Sequence, residues 1–185
     1  MEAREATAGE VRIRPLRREE IPAIAAAVVE MSAAQFENRW REQEIGLREL
    51  LVAERDGALV GTVSICEKER PPCSIHLFAL EVAPPLRGQG IGRSIIDQVI
   101  AEGRRRGRER VYLDVRVDNR ARRLYQRVGF RRVGGPFLNT WWLFGADGSR
   151  QRVEEVAVRM IRRLNAGGSA LPPPPAGLPR PAGDP

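Results

Sequence analysis

A glycine-rich turn between Arg87 and Arg93 carries the clearest signal for chemistry in this sequence. It joins a predicted strand to the start of a predicted amphipathic helix, and its members are Gly88, Gln89, Gly90, Ile91 and Gly92. Glycine lets the backbone approach a ligand closely, and the first N–H groups of a helix have no helical partner. With the positive end of the helix dipole, they form an anion site suited to a pyrophosphate. The turn therefore predicts a phosphate-bearing ligand, with a plain structural turn as the alternative.

A dinucleotide-binding turn is another alternative for this segment. Such a turn requires G-x-G-x-x-G, and Arg93 stands at the third glycine position if Gly88 is the first. Asp114 lies at about the right distance for the acidic residue of such sites, but it falls inside a predicted strand. Hairpins precede the turn instead of repeated β-α units. These features argue against a dinucleotide site.

The periodicity of apolar residues predicts the elements that position this turn. Strands are expected at residues 11–16, 50–54, 59–66, 75–82, 110–117, 130–133 and 153–164. Helices are expected to begin near residue 18, to cover residues 33–49, to follow the glycine-rich turn, and to run from Asp118 or Asn119 to about Val128. Residues 134–152 are predicted to be a long insertion between the last two strands. Antiparallel hairpins followed by a β-α-β unit predict an α/β fold with a mixed, mostly antiparallel central sheet and helices on both faces.

The composition predicts one domain at residues 11–164. It is preceded by a flexible N-terminus at 1–10 and followed by a disordered tail rich in Pro, Gly and Ala at 165–185. No apolar run approaches the length of a membrane span, and the first ten residues contain three glutamates instead of an apolar core. We therefore expect a cytoplasmic protein with no membrane contact. Cys66, Cys73 and the sole histidine, His76, do not form a metal-ligand pattern, so no metal is expected.

The positive charge of the chain has two interpretations. The formal net charge is +7, which favours anionic ligands such as nucleic acids or polyphosphate cofactors. Arginines concentrate at residues 104–108 and 120–132, but no aromatic stacking platform is interleaved with them. Solvated helix surfaces account for most of this charge, and nucleic acid is not the expected partner.

Two motifs in this order resemble those of the GNAT superfamily of acetyltransferases. VAPPLRGQGIG at residues 82–92 is similar to the family's acetyl-CoA signature, V-x-P-x-x-R-G-x-G-[IL]-G. NRARRLYQRVGF at residues 119–130 is similar to its second signature, N-x-x-A-x-x-L-Y-x-x-x-G-F. The second motif is in register from Ala121 onward, which places Asp118 where the family has Asn and Asn119 one position later.

The resemblance, which covers about residues 11–164, implies transfer of an acetyl group from acetyl-CoA to a primary amine by direct attack, without a metal. A CoA-binding regulatory module that has lost turnover is the alternative. The implied cofactor contacts are the amides of Gln89 to Arg93 for the pyrophosphate, Val82 for the pantetheine arm and the N–H of Leu80 for the thioester carbonyl. The full implied set is Leu80, Val82, Arg87, Gly88, Gln89, Gly90, Ile91, Gly92, Arg93 and Asn119, and Arg123 is a candidate for the 3′-phosphate.

Two residues are expected to move protons. Tyr125 matches the family tyrosine that protonates the departing thiolate, and packing on the sheet is its structural alternative. The expected base is His76, which strand alternation places on the side of Phe78, Leu80 and Val82. It lies where family members that acetylate protein lysines carry a carboxylate. Glu81, expected on the opposite side, and Asp114, which matches a base position in acetylases of protein N-termini, are the alternatives.

The acceptor has no motif in this sequence. An amine-bearing small molecule and a protein or peptide are both open, because the expected pocket segments, residues 33–49 and 134–152, carry no signature. The run WWLF at residues 141–144 is either a strand at a dimer contact or a wall of the substrate pocket. The resemblance favours the former, a homodimer through the C-terminal strands.

Overall fold

The computed structural model describes residues 9–28, 32–68, 71–145 and 147–164. The predicted disordered tail and all but the last two residues of the predicted N-terminal extension lie outside this part of the chain. The strands are β1 (Arg12–Pro15), β2 (Glu49–Arg55), β3 (Ala58–Lys68), β4 (Ser74–Val82), β5 (Arg110–Arg116), β6 (Arg131–Phe144) and β7 (Arg150–Arg163). The helices are α1 (Ile21–Val28), α2 (Ala33–Glu44), α3 (Ile91–Arg105) and α4 (Arg122–Arg127), and 3₁₀ turns cover Arg18–Glu20 and Pro84–Leu86.

The seven described strands form one sheet in the order β1-β2-β3-β4-β5-β7-β6. The pairing of β4 with β5 is parallel, and the other five pairings are antiparallel. The parallel pair follows from the chain path, because α3 carries the chain from the end of β4 back to the start of β5. The expected mixed, mostly antiparallel sheet is confirmed.

Each face of the sheet has its own apolar core. Strand β2 shows the division, since Leu51 and Ala53 belong to the core under α3 and α4, whereas Leu50 and Val52 belong to the core under α1 and α2. This alternation follows from the two-residue period of a strand. The expectation of helices on both faces is thus confirmed.

A bulge in β4 reverses the side on which its last residues point. Phe78 pairs with Ser64 and Glu81 pairs with Thr62, so two residues of β4 lie opposite one residue of β3. Ala79, inside the bulge, has a φ of 50°, which is uncommon for a residue other than glycine.

The bulge corrects two expectations. Leu80 and Val82 pack against the core under α3, together with Ile75 and Leu77. His76 and Phe78 point to the other face, so the expected alignment of His76 with Leu80 and Val82 is wrong. Glu81 also lies on the face of His76, instead of opposite to it, because strand periodicity takes no account of an extra residue.

Strands β4 and β5 pair only at their first residues. The pairs are Ser74 with Arg110, Ile75 with Val111 and His76 with Tyr112, although both strands continue beyond them. From that point the two strands separate, and we call this opening the fork. It leaves the last six residues of β4 without pairing to β5.

The C-terminal region differs from the predicted pattern. Residues 134–152 are not an insertion, because β6 runs to Phe144 and pairs with β7 along a long hairpin. The register shifts between Val133 and Phe137, where Gly134, Gly135 and Pro136 interrupt the alternation that would have indicated one strand. Two helices are also shorter than expected, since α2 ends at Glu44 and α4 begins at Arg122.

We predict that Gly61→Ala destabilises the fold at the bulge. A Cβ atom at Gly61 would lie 2.6 Å from the backbone oxygen of Glu81, which cannot move without disturbing the β3–β4 pairing. The free energy of unfolding, measured by urea denaturation, should fall by about 1–3 kcal/mol. Gly135→Ala is the control, because no atom lies within 4 Å of its added Cβ. Equal effects of the two changes would contradict the prediction.

Candidate functional site

The glycine-rich turn ends in an open helix N-terminus at the end of β4. The first helical hydrogen bond runs from the N–H of Ser94 to the oxygen of Gly90, at 3.0 Å. The N–H groups of Ile91, Gly92 and Arg93 precede it and have no acceptor within the helix. Helix α3 therefore offers the donor groups that an anion site needs.

Backbone conformation explains why two of these positions are glycine, and packing explains why the third is. Gly88 and Gly90 have φ values of 82° and 83°, a region that other residues avoid. A Cβ atom at Gly92 would instead meet Leu124 at 3.4 Å and Val82 at 3.8 Å. The turn thus brings together the end of β4, the start of α3 and the side of α4.

Two arginine side chains brace the turn. Nε of Arg87 donates to the oxygen of Val82 at 3.1 Å, and Nη2 of Arg55 donates to Oε1 of Gln89 at 3.1 Å. Arg93 forms an exposed pair with Asp97 at 3.5 Å. Sequence reasoning missed Arg55, because it lies in the hairpin between β2 and β3 and only the folded sheet brings it to the turn.

Tyr125 of α4 lies in the core between the helix and the sheet. Its side chain is buried, and its ring contacts Phe130 edge to face at 6.0 Å between centroids. Burial raises the pKa of the Tyr125 phenol to about 12. Within the described part of the chain, no residue forms a hydrogen bond with its hydroxyl. The phenol is therefore protonated at neutral pH and is able to donate a proton.

A basic cavity of about 560 Å³ adjoins the start of α4. Its lining residues are Val117, Asp118, Asn119, Arg120, Arg122, Arg123 and Gln126. Asp118 pairs with Arg116 at 2.5 Å, and Oδ1 of Asn119 accepts from the N–H of Ala121 at 2.8 Å. Both candidates for the family Asn position thus line the cavity and make local contacts.

On the opposite face of the fork, three rings and two guanidinium groups form a continuous stack, with a fourth ring beside its end. His76 lies parallel to Phe78 at 4.7 Å and to Tyr112 at 4.5 Å between ring centroids. The guanidinium of Arg48 covers Phe78 at 4.7 Å, and that of Arg159 covers Tyr112 at 4.7 Å. Arg159 also lies 5.7 Å from the ring of Phe137. We call this arrangement the stacked row, and its members are Arg48, Phe78, His76, Tyr112, Arg159 and Phe137.

The stacked row keeps His76 neutral. Burial lowers the pKa of the His76 imidazole to about 4, with Asp114 opposing and Arg159 reinforcing the shift. An imidazole with this pKa holds a proton only weakly at neutral pH. The role of His76 as a base stays a prediction, and the low pKa of its imidazole argues against that role.

Both alternative bases lie on the same face as His76, each paired with an arginine. Arg159 donates from Nε and Nη2 to the two carboxylate oxygens of Asp114, at 2.8 and 2.9 Å. Arg39 of α2 donates to Oε1 of Glu81 at 2.9 Å. The fold therefore brings His76, Glu81 and Asp114 to one face, whereas Tyr125 packs under the other.

Among the described residues, no group of three or more His, Cys, Asp or Glu residues is arranged to hold a metal ion. No helix in this part of the chain is long and apolar enough to cross a membrane. Cys66 and Cys73 are free thiols.

Comparison with protein families gives a match over more than half of the chain. The family described as "Acetyltransferase (GNAT) family" matches residues 14–130. N-acetyltransferase 8B of Homo sapiens is 34% identical over 94 residues, which are 49% of this chain and 41% of that protein. N-alpha-acetyltransferase RimI of Mycobacterium tuberculosis is 40% identical over 84 residues, or 44% of this chain and 51% of that protein. The chain thus spans about half the length of these curated relatives.

Solved structures share the fold. The ribosomal-protein-S18-alanine N-acetyltransferase of Escherichia coli aligns with a TM-score of 0.62 at 22% identity, covering 87% of this chain and 98% of that one. An acetyltransferase of Salmonella typhimurium, yncA, solved with acetyl-CoA, aligns at 0.59 and 18%, covering 86% and 96%. The spermidine/spermine N-acetyltransferase SpeG of Vibrio cholerae aligns at 0.63 and 20%, covering 84% and 93%.

We predict that His76 titrates near pH 4. It is the only histidine, so its ring protons are directly recognisable in an NMR titration. Because its folded pKa lies below the ordinary 6.5, its contribution to stability is present above pH 6.5 and is lost as the pH falls through about 4. Phe78→Leu, which opens one side of the row, should move the midpoint toward 6.5. A midpoint near 6.5 in the unaltered protein would contradict the burial of this ring.

Proposed function

This chain belongs to the GNAT acetyltransferase family, and on that premise we propose that it transfers an acetyl group from acetyl-CoA to a primary amine by direct attack. The observation that carries the proposal is the fork between β4 and β5, with the open N-terminus of α3 at the end of β4. The unpaired edge of β4 and the free N–H groups of α3 together fit a long ligand with an amide-containing arm and a pyrophosphate.

The residues present fit acetyl-CoA at three points. The N–H groups at the start of α3, from Gln89 to Arg93, would hold the pyrophosphate, and the β4 backbone near Val82 would bind the pantetheine arm. The basic cavity would accept the remaining phosphate, with Arg123 as a candidate partner. When bound, acetyl-CoA supplies an acetyl thioester activated for attack by an amine.

The protein's own groups then have separate tasks. We propose that the N–H of Leu80, at the bulge, polarises the acetyl carbonyl and that the buried Tyr125 donates a proton to the departing sulfur. His76, Asp114 and Glu81 face the other side of the fork, from which the amine would approach. His76 is retained as a candidate base, with Asp114 and Glu81 as its competitors.

The nature of the acceptor is a separate part of the proposal. The names of the neighbours mention a ribosomal-protein alanine in one case and spermidine in another. We propose that this chain acts on an amine-bearing small molecule or on a protein or peptide. A cytoplasmic location stays a prediction.

We also propose a homodimer through the C-terminal strands. Strand β6 is the last in the sheet, so one of its edges has no neighbouring strand among the described residues. It contains no charged residue from Val133 to Phe144, and Leu138, Trp141 and Trp142 are exposed. Proteins usually protect such edges with charges, and pairing with a second copy would cover this one.

We predict that Gly90→Asp abolishes binding of acetyl-CoA while the protein stays folded. The change adds a negative charge and a side chain where a pyrophosphate would approach the backbone. Gly46→Asp is a matched control, because Gly46 also has a positive φ (75°) and open space around it. Isothermal calorimetry should show binding by the control and none by Gly90→Asp. Unchanged affinity in Gly90→Asp would remove the pyrophosphate from this turn.

We predict that Tyr125→Phe lowers kcat by about 10²-fold, since it removes a positioned proton donor and keeps the ring. Steady-state release of free thiol measures kcat, and calorimetry should show an unchanged Kd for acetyl-CoA. A small kinetic effect with a lower melting temperature would assign Tyr125 a structural role. If the unaltered protein bound acetyl-CoA but turned over no amine, the regulatory module would be favoured.

A further inference from the structure

The faces of the stacked row are already occupied. Strands β4 and β7 lie on opposite sides of β5 in the sheet, so His76 and Arg159 cover the two faces of the Tyr112 ring. His76 is in turn covered by Phe78 and Tyr112, and Phe78 by His76 and Arg48. An acceptor cation therefore finds no free face on His76, Phe78 or Tyr112 for a cation–π contact.

The two carboxylates beside the fork, Asp114 and Glu81, are also matched by arginines. Asp114 is paired with Arg159 through two hydrogen bonds, and Glu81 is paired with Arg39. A polycationic acceptor would have to compete with these arginines for either carboxylate. Neither of these two carboxylates is therefore placed to attract a chain of ammonium groups.

Arg159, in contrast, has N–H donors that its pair with Asp114 does not use. A guanidinium carries five N–H groups, and the side-on pair with Asp114 uses one from Nε and one from Nη2. Among the described residues, none accepts a hydrogen bond from Nη1. The side chain is 36% exposed, and Tyr112, Phe137 and Asp114 fix its plane. This guanidinium is thus preorganised to donate to an oxygen on an incoming molecule.

The position of Arg159 relative to the fork limits the kind of amine that can carry this oxygen. Arg159 pairs directly with Asp114, which lies on β5 just beyond the last pair with β4. Paired strands are about 4.8 Å apart, so Arg159 on β7 lies one strand spacing from β5, the strand that borders the fork. In an α-amino acid or at a peptide N-terminus, two carbon atoms separate the amine from a carbonyl or carboxylate oxygen. An oxygen held by Arg159 would leave such an amine near the fork.

We infer that Arg159 is an acceptor-binding residue, and that the acceptor is a primary amine whose α-carbon bears a carbonyl or carboxylate group. A free amino acid and the N-terminus of a peptide share this chemistry. The inference rests on the proposed function and narrows its acceptor class.

A panel of matched amines tests this class. L-Alaninamide, L-alanine and trialanine carry the group, isopropylamine has the same branching without it, and spermidine is the polycation. The measurement is kcat/KM from free thiol release, corrected for the free-base fraction of each amine. At least one α-carbonyl amine should exceed isopropylamine and spermidine by about tenfold or more, as expected for a hydrogen bond to a charged group. Alanine and trialanine distinguish the free amino acid from the peptide.

Arg159→Lys tests the role of this residue, because it keeps a cation beside Asp114 and removes the planar guanidinium with its several N–H donors. It should reduce the ratio of kcat/KM for the preferred α-carbonyl amine to that for isopropylamine by about tenfold. Arg152→Lys makes the same change on the same strand at an exposed position, where Arg152 pairs with Glu154, and should leave the ratio unchanged. Melting temperatures show whether each variant is folded.

The outcomes separate this inference from the proposed function. No acetyl-CoA binding by the unaltered protein, no turnover of any amine, or release of thiol in the absence of an amine would contradict the proposed function. Acetyl-CoA binding with preferred use of isopropylamine or spermidine, or with turnover of these amines but of no α-carbonyl amine, would overturn the acceptor class alone. The panel on the unaltered protein decides this even if Arg159→Lys does not fold. An equal loss on all amines in a folded Arg159→Lys would make Arg159 a structural residue.

Discussion

The separation of β4 from β5 is the constraint on which the rest of this structure depends. Parallel strands need a long crossover, and here the crossover is α3, which begins where β4 ends. The same connection therefore produces the parallel pair, the open helix N-terminus and the glycine-rich turn. Because pairing stops at His76 and Tyr112, backbone groups of β4 are left for another molecule in the middle of an otherwise continuous sheet. An ordinary sheet would have closed this position with hydrogen bonds to the next strand.

The bulge at Ala79 gives the two ends of β4 different tasks. Before the bulge, His76 and Phe78 face the side of α2, and after it Leu80 and Val82 pack toward α3 and α4. The strand thereby supplies side chains to one face and backbone contacts near the glycine-rich turn on the other. Gly61 allows this close pairing, since even a methyl group there would meet the Glu81 carbonyl.

Arginine has several distinct physical roles in this protein. Arg39 and Arg159 neutralise carboxylates that are largely removed from water, at 16% and 13% side-chain exposure. A partly buried carboxylate without such a partner would destabilise the fold, because its charge would lose hydration without compensation. These pairs therefore allow acidic side chains beside the fork. Arg48 and Arg159 also close the two sides of an aromatic stack, where a protonated His76 would be unfavourable. The high arginine content therefore reflects structural pairing as well as a basic cavity for an anionic ligand.

Local sequence determined much of this protein. The turn at residues 88–92 depends on glycines and on a helix start, which are local properties. The choice of Tyr125 as the candidate proton donor followed from a motif of contiguous residues. Most strands followed from alternation, because a half-buried strand requires it. The order of strands and helices also predicted the parallel pair.

The tertiary structure decided which side chains meet. An extra residue at Ala79 reversed the side of Glu81, Leu80 and Val82, and Gly134, Gly135 and Pro136 concealed the continuity of β6. The low pKa of His76 arises from burial under rings, and from charges, that several strands and a loop contribute. The ordinary pKa of a histidine was therefore a poor guide to this imidazole. Arg159 meets Asp114 across 45 residues of chain, and no local pattern encodes such a contact. Local periodicity reports which residues are buried, whereas partnership across a sheet depends on register, and register is fixed only when the whole sheet packs.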